Sequence, residues 1–348
     1  MTDYHRKQLT RIALLLALFI ASAKAVAAEE DATGDDAQHT YAVLLSGGRS
    51  MLSNHERYWN DCSFLYRTLS QTYRIPKRNI TVLMSDGGDS EEDLLRADFR
   101  GFESSPTDLD GDGVQDVDYP ATEQALNHVM VRLSRELTAD DHLFIFVVDH
   151  GGSKDHESDS FIWLWNDVQL SDRHFGLLVS LFDIGSINIL MGQCYAGGFI
   201  DNLLYNNLVI TTACGGYEQS WTSPDKTYDE FVYHWTCAVN GADELGNPIN
   251  ADTNGDGEVS MAEAFEYARS HDRVNETPLF FSQPDDLGSR WAFSNPGNSP
   301  TDIQEERLED GEPVDSWSLS GIRNQGDSNN GVYIIRQGKR TRKVIRKK

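Results

Sequence analysis

Apolar residues fall along this chain in short continuous runs separated by longer stretches of helical spacing. Ala42 to Leu45, Ile80 to Met84, Leu143 to Val148, Ile187 to Met191 and Leu208 to Thr212 are such runs. Runs of this length, rich in branched residues and bounded by turn signals, read as strands buried on both faces. Between them, residues 55–72 place Tyr58, Cys62, Leu65 and Leu69 on one helical face, and residues 122–137 do the same with Ala125, Val129 and Leu133. Strands alternating with helices predict an α/β fold, a mostly parallel sheet flanked by helices. In such sheets ligands bind beyond the carboxyl ends of the strands. Those ends carry Gly47-Gly48, Asp149-His150-Gly151-Gly152, Gly192-Gln193-Cys194 and Ala213-Cys214-Gly215-Gly216.

The ends of the chain have a different character. Arg6, Lys7 and Arg11 precede an apolar stretch, Ile12 to Ala23, that is short of the roughly 20 residues of a membrane span. Small residues then offer A-x-A sites, so 1–25 reads as a secretory signal peptide. Near the other end, Ser316 to Gly321, a turn-rich stretch and Gly331 to Arg336 predict a β-hairpin followed by a basic tail.

Charge sharpens this division. The 348 residues carry a formal −25, but a net +3 at 1–25 and +8 at 336–348 leave −36 on the body between them. A body so acidic repels nucleic acid and anionic lipid, which removes nucleic acid from the expected partners.

His150 and Cys194 carry the candidate chemistry. A thiol nucleophile needs an imidazole to handle protons and backbone N–H groups to hold an oxyanion. Glycine after the histidine lets the backbone approach a substrate carbonyl. Cys214 also ends a strand and is the alternative nucleophile, whereas Cys62 reads as core.

Val147-Val148-Asp149-His150-Gly151-Gly152, with Cys194 following 44 residues after His150, resembles the legumain and caspase clan of cysteine peptidases, and the legumain branch in particular. Val43 to Gly48, Asn54 to Tyr66, Ile210 to Ala213 and Tyr228 to Phe231 extend the resemblance over roughly 40–240. It implies a caspase-like fold, with Cys194 as nucleophile, His150 as general acid/base, and the N–H groups of Gly151 and Cys194 as the oxyanion hole. It further implies that Asn54 orients the histidine and that Arg57, Gly192 and Gln193 lie where the family binds substrate. Gly192 departs from the acidic or amide residue found there, which leaves the preference open among Asn, Asp and a basic residue: Glu218 or Asp225 in the pocket would favour Arg or Lys, and an exposed Arg57 would favour acidic or amide residues. The expected activity is hydrolysis of protein or peptide substrates by an endopeptidase, with a ligase using the same dyad and a non-catalytic binding module as rivals.

Two acidic loops suggest calcium. Asp252, Asn254, Asp256, Glu258 (through its carbonyl), Ser260 and Glu263 fall at the ligand positions of an EF-hand loop spanning 252–263. Asp108, Asp110, Asp112 and Asp116 fit a second loop that lacks the terminal glutamate, within an insertion at 86–120. The expected cofactor is structural Ca²⁺, with no organic cofactor.

The expected organisation is therefore a signal peptide at 1–25, a peptidase domain at 38–290, a linker at 291–313 and a β segment at 314–348. The ending of that last segment resembles the C-terminal sorting domain of the type IX secretion system of Bacteroidota. That resemblance implies contact with secretion machinery, and a bacterial protein secreted or held at the cell surface.

Overall fold

The computed structural model describes residues 35–154, 159–203 and 205–294, and the backbone of three strands beyond them. The expected signal peptide lies outside the described residues.

Six strands form the central sheet: β1 (Thr40–Ser46), β2 (Ile80–Met84), β3 (His142–Val147), β4 (Ser186–Met191), β5 (Leu208–Thr212) and β6 (Leu279–Gln283). Their order is β6-β5-β4-β3-β1-β2. Four of the pairings are parallel, and β6 joins β5 antiparallel at one edge. The five predicted runs are β1 to β5, so the caspase-like, mostly parallel sheet is present. β6 was not anticipated.

Both faces of the sheet are covered, which is why its strands are apolar throughout rather than alternating. Ala42, Leu44, Phe144 and Phe146 join a core built with α1 (Glu56–Arg67), α4 (Glu230–Asn240) and α5 (Met261–His271). Val43, Leu45, Leu143, Ile145 and Val147 point the other way, toward α2 (Glu123–Glu136) and α3 (Asp172–Val179). Phe144 stacks on Trp235 of α4 at 5.6 Å between centroids. Each such buried side chain contributes roughly 1.5–3 kcal/mol relative to exposure.

The structure differs locally from the sequence expectations in three places. The helix expected over 55–72 is regular only to Arg67, and Thr68–Thr72 is a wider π turn. Trp291 and Phe293, assigned above to the linker, are buried in the first core, so the compact domain runs past 290. Gly151–Ser153, Ser160–Leu164 and Val168–Ser171 form a three-stranded antiparallel ribbon that was not anticipated from the sequence.

Residues from Gly297 onward form a separate compact unit. Within it, Asp315–Ser318, Gly331–Gln337 and Arg340–Arg346 make a three-stranded antiparallel sheet. The basic residues read above as a tail are thus largely its third strand, with Val344 and Ile345 opposite Tyr333 and Val332.

Candidate active site

The register of the sheet places the two reactive residues. Val147 on β3 is the partner of Met191 on β4, and His150 and Cys194 each lie three residues further on. The two segments touch: a Cβ added at Gly151 would collide with the carbonyl oxygen of Cys194. A side chain at 151 is therefore excluded by packing, and the Gly151 backbone lies against the nucleophile's own.

Asp149 joins this end of the sheet to β1. Its carboxylate accepts the N–H groups of Gly47 at 2.5 Å, Gly48 at 3.0 Å and His150 at 2.6 Å. Nε2 of His150 lies 2.9 Å from the carbonyl oxygen of Ser53. A carbonyl only accepts, so Nε2 carries the proton and Nδ1 keeps a lone pair, the tautomer a general base requires. Tyr58 stands perpendicular to the imidazole at 5.3 Å, and His55 packs on it at 5.4 Å. Burial lowers the His150 pKa below 6.5, and Arg57 and Arg49 add to the effect.

Asn54 does not take the orienting role expected of it. Its amide donates to the Ser85 hydroxyl at 2.7 Å and the Asp93 carbonyl at 2.8 Å, tying β1's exit loop to the insertion. The carbonyl of its neighbour Ser53 holds the histidine instead. A backbone carbonyl carries no residue identity, so nothing in the sequence could have indicated it.

Cys194 is partly exposed, and its Sγ lies 3.7 Å from both the carbonyl and the hydroxyl oxygen of Ser220. Burial raises its pKa above 9, aided by the charge of Asp229, while Ser220 and Arg57 oppose the rise. The lowered histidine and the raised thiol both favour the neutral forms of the two groups. Cys214, the alternative nucleophile, is buried with its Sγ against the carbonyls of Gln193 and Glu218, each at 3.5 Å. All four cysteines are free thiols.

The proposed substrate-binding residues divide. Arg57 donates from Nε to Asp229 at 2.8 Å and from its terminal nitrogen to the Tyr58 hydroxyl at 2.8 Å. Its charge and that of Asp229 both bear on Cys194. Asp229 is the functional candidate the sequence reading left without a role, because 172 residues separate it from Arg57. Gly192 is packed, not open: a Cβ there would lie 2.6 Å from Val232 on α4. The space of the family's acidic or amide side chain is filled by that valine. Gln193 is fully buried, its amide nitrogen 3.6 Å from the Met191 sulfur, so it does not line an accessible pocket. Glu218 accepts from the N–H groups of Gly215 at 2.8 Å and Thr277 at 3.0 Å. Asp225 holds a turn through Ser223 at 2.7 Å and Thr227 at 3.1 Å. Neither is a free pocket acid.

Both acidic loops adopt the same local pattern. Asp252 accepts from Gly255 at 2.6 Å and Gly257 at 2.9 Å, as Asp108 does from Gly111 at 2.7 Å and Gly113 at 2.8 Å. Asn254 and Asp256 accept from Asp256 and Glu258 at 2.8 and 3.0 Å. Glu263 reaches back across its loop to Thr253 at 2.9 Å while forming a capping box with Ser260 at the start of α5. Burial would raise its pKa, but hydrogen bonds from Ser260 and Thr253 outweigh it and hold the carboxylate at about 2. A carboxylate kept ionised and aimed into the loop, with oxygen donors on the facing residues, fits a calcium ion.

The loop at 108–118 is more complicated. Carboxylate oxygens of Asp108, Asp110 and Asp116 come within 4.8 Å of one another. Lys77 already brings its ammonium to Asp110 and Asp112 at 2.8 Å and to Asp116 at 3.2 Å. Asp118 is turned away, accepting from the Val82 N–H at 2.9 Å. Calcium would have to displace the lysine from three of the four proposed carboxylate ligands.

The model of the peptidase C13 family matches residues 40–244. No curated protein matches the chain. Among solved structures, protein GSU0716 from Geobacter sulfurreducens aligns at a TM-score of 0.41 and 12% identity, covering 70% of this chain and 92% of that one. That likeness is too distant to inform the chemistry.

Proposed function

Because this chain belongs to the peptidase C13 family of cysteine peptidases, we propose that it is an exported endopeptidase acting through Cys194 and His150. The observation that carries this reading is the strand register that sets both residues three positions beyond a paired Val147 and Met191. As substrate binds, Nδ1 of His150 takes the Cys194 proton and the thiolate attacks the scissile carbonyl. The N–H groups of Gly151 and Cys194 stabilise the oxyanion. His150 then protonates the leaving amine, and water releases the acyl group with the imidazole as base. The Arg57–Asp229 pair offers a donor and an acceptor side by side, which suits the carboxamide of an asparagine at the residue before the scissile bond. Cleavage of a positional-scanning peptide library tests the reading, with Cys194→Ala as the control.

Exposed apolar side chains support a peptide substrate. Leu52, Phe99, Tyr217 and Trp221 are 70%, 54%, 69% and 48% exposed, and all sit on segments flanking the site. An extended peptide needs such surface to bury its own side chains.

Calcium in the loop at 252–263 would act as a structural cation that fixes the connection from α4 to the start of α5. Glu263→Gln is expected to lower Tm more in calcium than in chelator: weakening the capping box costs stability in both, and only in calcium is the ion's mass-action stabilisation also lost. At the other loop, Lys77→Met removes the built-in cation and leaves Asp110 and Asp116, whose side chains are 4% and 2% exposed, without it. That variant should lose about 1–3 kcal/mol in chelator and recover part of it in millimolar calcium. A Tm that ignores calcium in wild type and both variants would remove the metal from the picture.

Export rests on the basic and apolar leader and on the basic C-terminal strand. The mature protein is expected to begin between residues 26 and 28, at the A-x-A sites. Intact Met1 on the exported protein, read by mass spectrometry, would count against cleavage.

A further inference from the structure

A cleft opens beside the Cys194–His150 site. It is lined by His55, Leu95, Phe99, Thr222 and Lys226, and it shares Arg57 with the pair described above. His55 links it to the catalytic imidazole, packing on His150 at 5.4 Å and on Phe99 at 5.9 Å. Thr222, also in the lining, is two residues along the chain from Ser220, which touches the Cys194 sulfur.

Two of its residues are costly where they stand. Phe99 is 54% exposed and has φ 58°, a left-handed backbone that a bulky aromatic rarely adopts. Folding alone favours neither feature, and such outliers collect where a ligand is held. Lys226 has φ 65° at the tip of a turn anchored by Asp225 through Ser223 and Thr227. Its ammonium is 5.4 Å from the Phe99 ring. Glu56, an acid in the lining, accepts the Ala97 N–H at 2.7 Å, and Arg96 is paired with Asp98 at 3.8 Å and Glu103 at 3.7 Å. Lys226 is thus the lining cation without an ion pair among the described residues, in a chain of net charge −25.

We propose that this cleft is a specificity subsite for an acidic side chain of the peptide, close to the scissile residue, with Phe99 as its floor and Lys226 as its charge partner. The proposal rests on the peptidase reading for the direction of the peptide, but the cleft can be tested by binding alone. An extended peptide advances about 3.3 Å per residue, so a side chain one to three positions from the scissile residue reaches the cleft. The unpaired Lys226 ammonium also attracts an acidic side chain in a chain whose net charge repels it.

The test uses the full chain carrying Cys194→Ala, so that peptides bind without being cut. Asparagine peptides bearing Asp, Asn or Lys at each of three positions on either side are titrated by fluorescence anisotropy. Asp should bind about threefold to tenfold more tightly than Lys at one of these positions. Adding Lys226→Glu should reverse that order, and Lys226→Gln should fall between. An affinity order that is the same for all three proteins, or indifferent to charge at every position, overturns the subsite. Cleavage of the same peptides by the Cys194 protein is read separately. Binding with the acidic preference but without cleavage would sink the peptidase reading and leave the cleft standing.

Discussion

Cys194→Ala will reduce peptide hydrolysis by about 10⁴-fold or more, the scale seen when the nucleophile of an acyl-transfer dyad is removed. Cys214→Ala will keep its activity and lose only about 1 kcal/mol of stability, because that thiol is a buried packing group. Rates with a fluorogenic asparagine peptide, read beside thermal melts, separate the two outcomes. The result that would reassign the nucleophile is activity surviving Cys194→Ala and vanishing with Cys214→Ala. The same assay carries a pH signature. In the proposed mechanism the base form of His150 is the active one, and burial lowers its pKa below 6.5. Activity should therefore persist into mildly acidic solution and fall only as the pH drops through that lowered value. Adding an amine nucleophile and weighing the products distinguishes hydrolysis from ligation, since both share the acyl-enzyme.

The second large effect is expected at the Arg57–Asp229 pair. Their side chains are 16% and 8% exposed, and the pair is joined at 2.8 Å. Removing one partner leaves the other charge in a poorly solvated site, at a cost of about 3–5 kcal/mol. Arg57→Ala should accordingly lower Tm and cut kcat/KM for asparagine peptides by about 10²-fold, since a site built to hydrogen-bond an amide discriminates strongly. Asp229→Asn keeps the shape and one hydrogen bond, so it should lose less stability while still changing the preferred residue. A positional scan of each variant decides the matter. An unaltered preference in Arg57→Ala, in protein that remains folded, would place the specificity pocket elsewhere.

Much of the site was legible because its chemistry and its packing leave marks on single residues. Strands covered on both faces must be apolar throughout, so β1 to β5 could be read as runs. His150 and Cys194 stood out because reactive groups flanked by glycine at strand ends have few other uses in combination. The substrate side was less legible. Gly192 could be compared with the family, but only the position of Val232 on α4 explains why a glycine fits. Asn54 looked like a partner of the histidine, yet its amide faces Ser85 and Asp93. The loop at 108–118 reads as a metal loop in isolation, whereas Lys77, distant in sequence, occupies it.

The sequence by itself determined the strands of the sheet, and it marked the strand-end His150 and Cys194 and the acidic loops as candidates. These follow from local pattern, because burial period and turn chemistry act over a few residues. Tertiary structure alone decided what surrounds those groups: the Ser53 carbonyl on His150, Asp229 on Arg57, Lys77 among the aspartates, and Phe99 with Lys226 beside the cleft. Each of those contacts joins segments far apart along the chain. Such contacts arise from the packing of whole elements, which no local pattern of residues records.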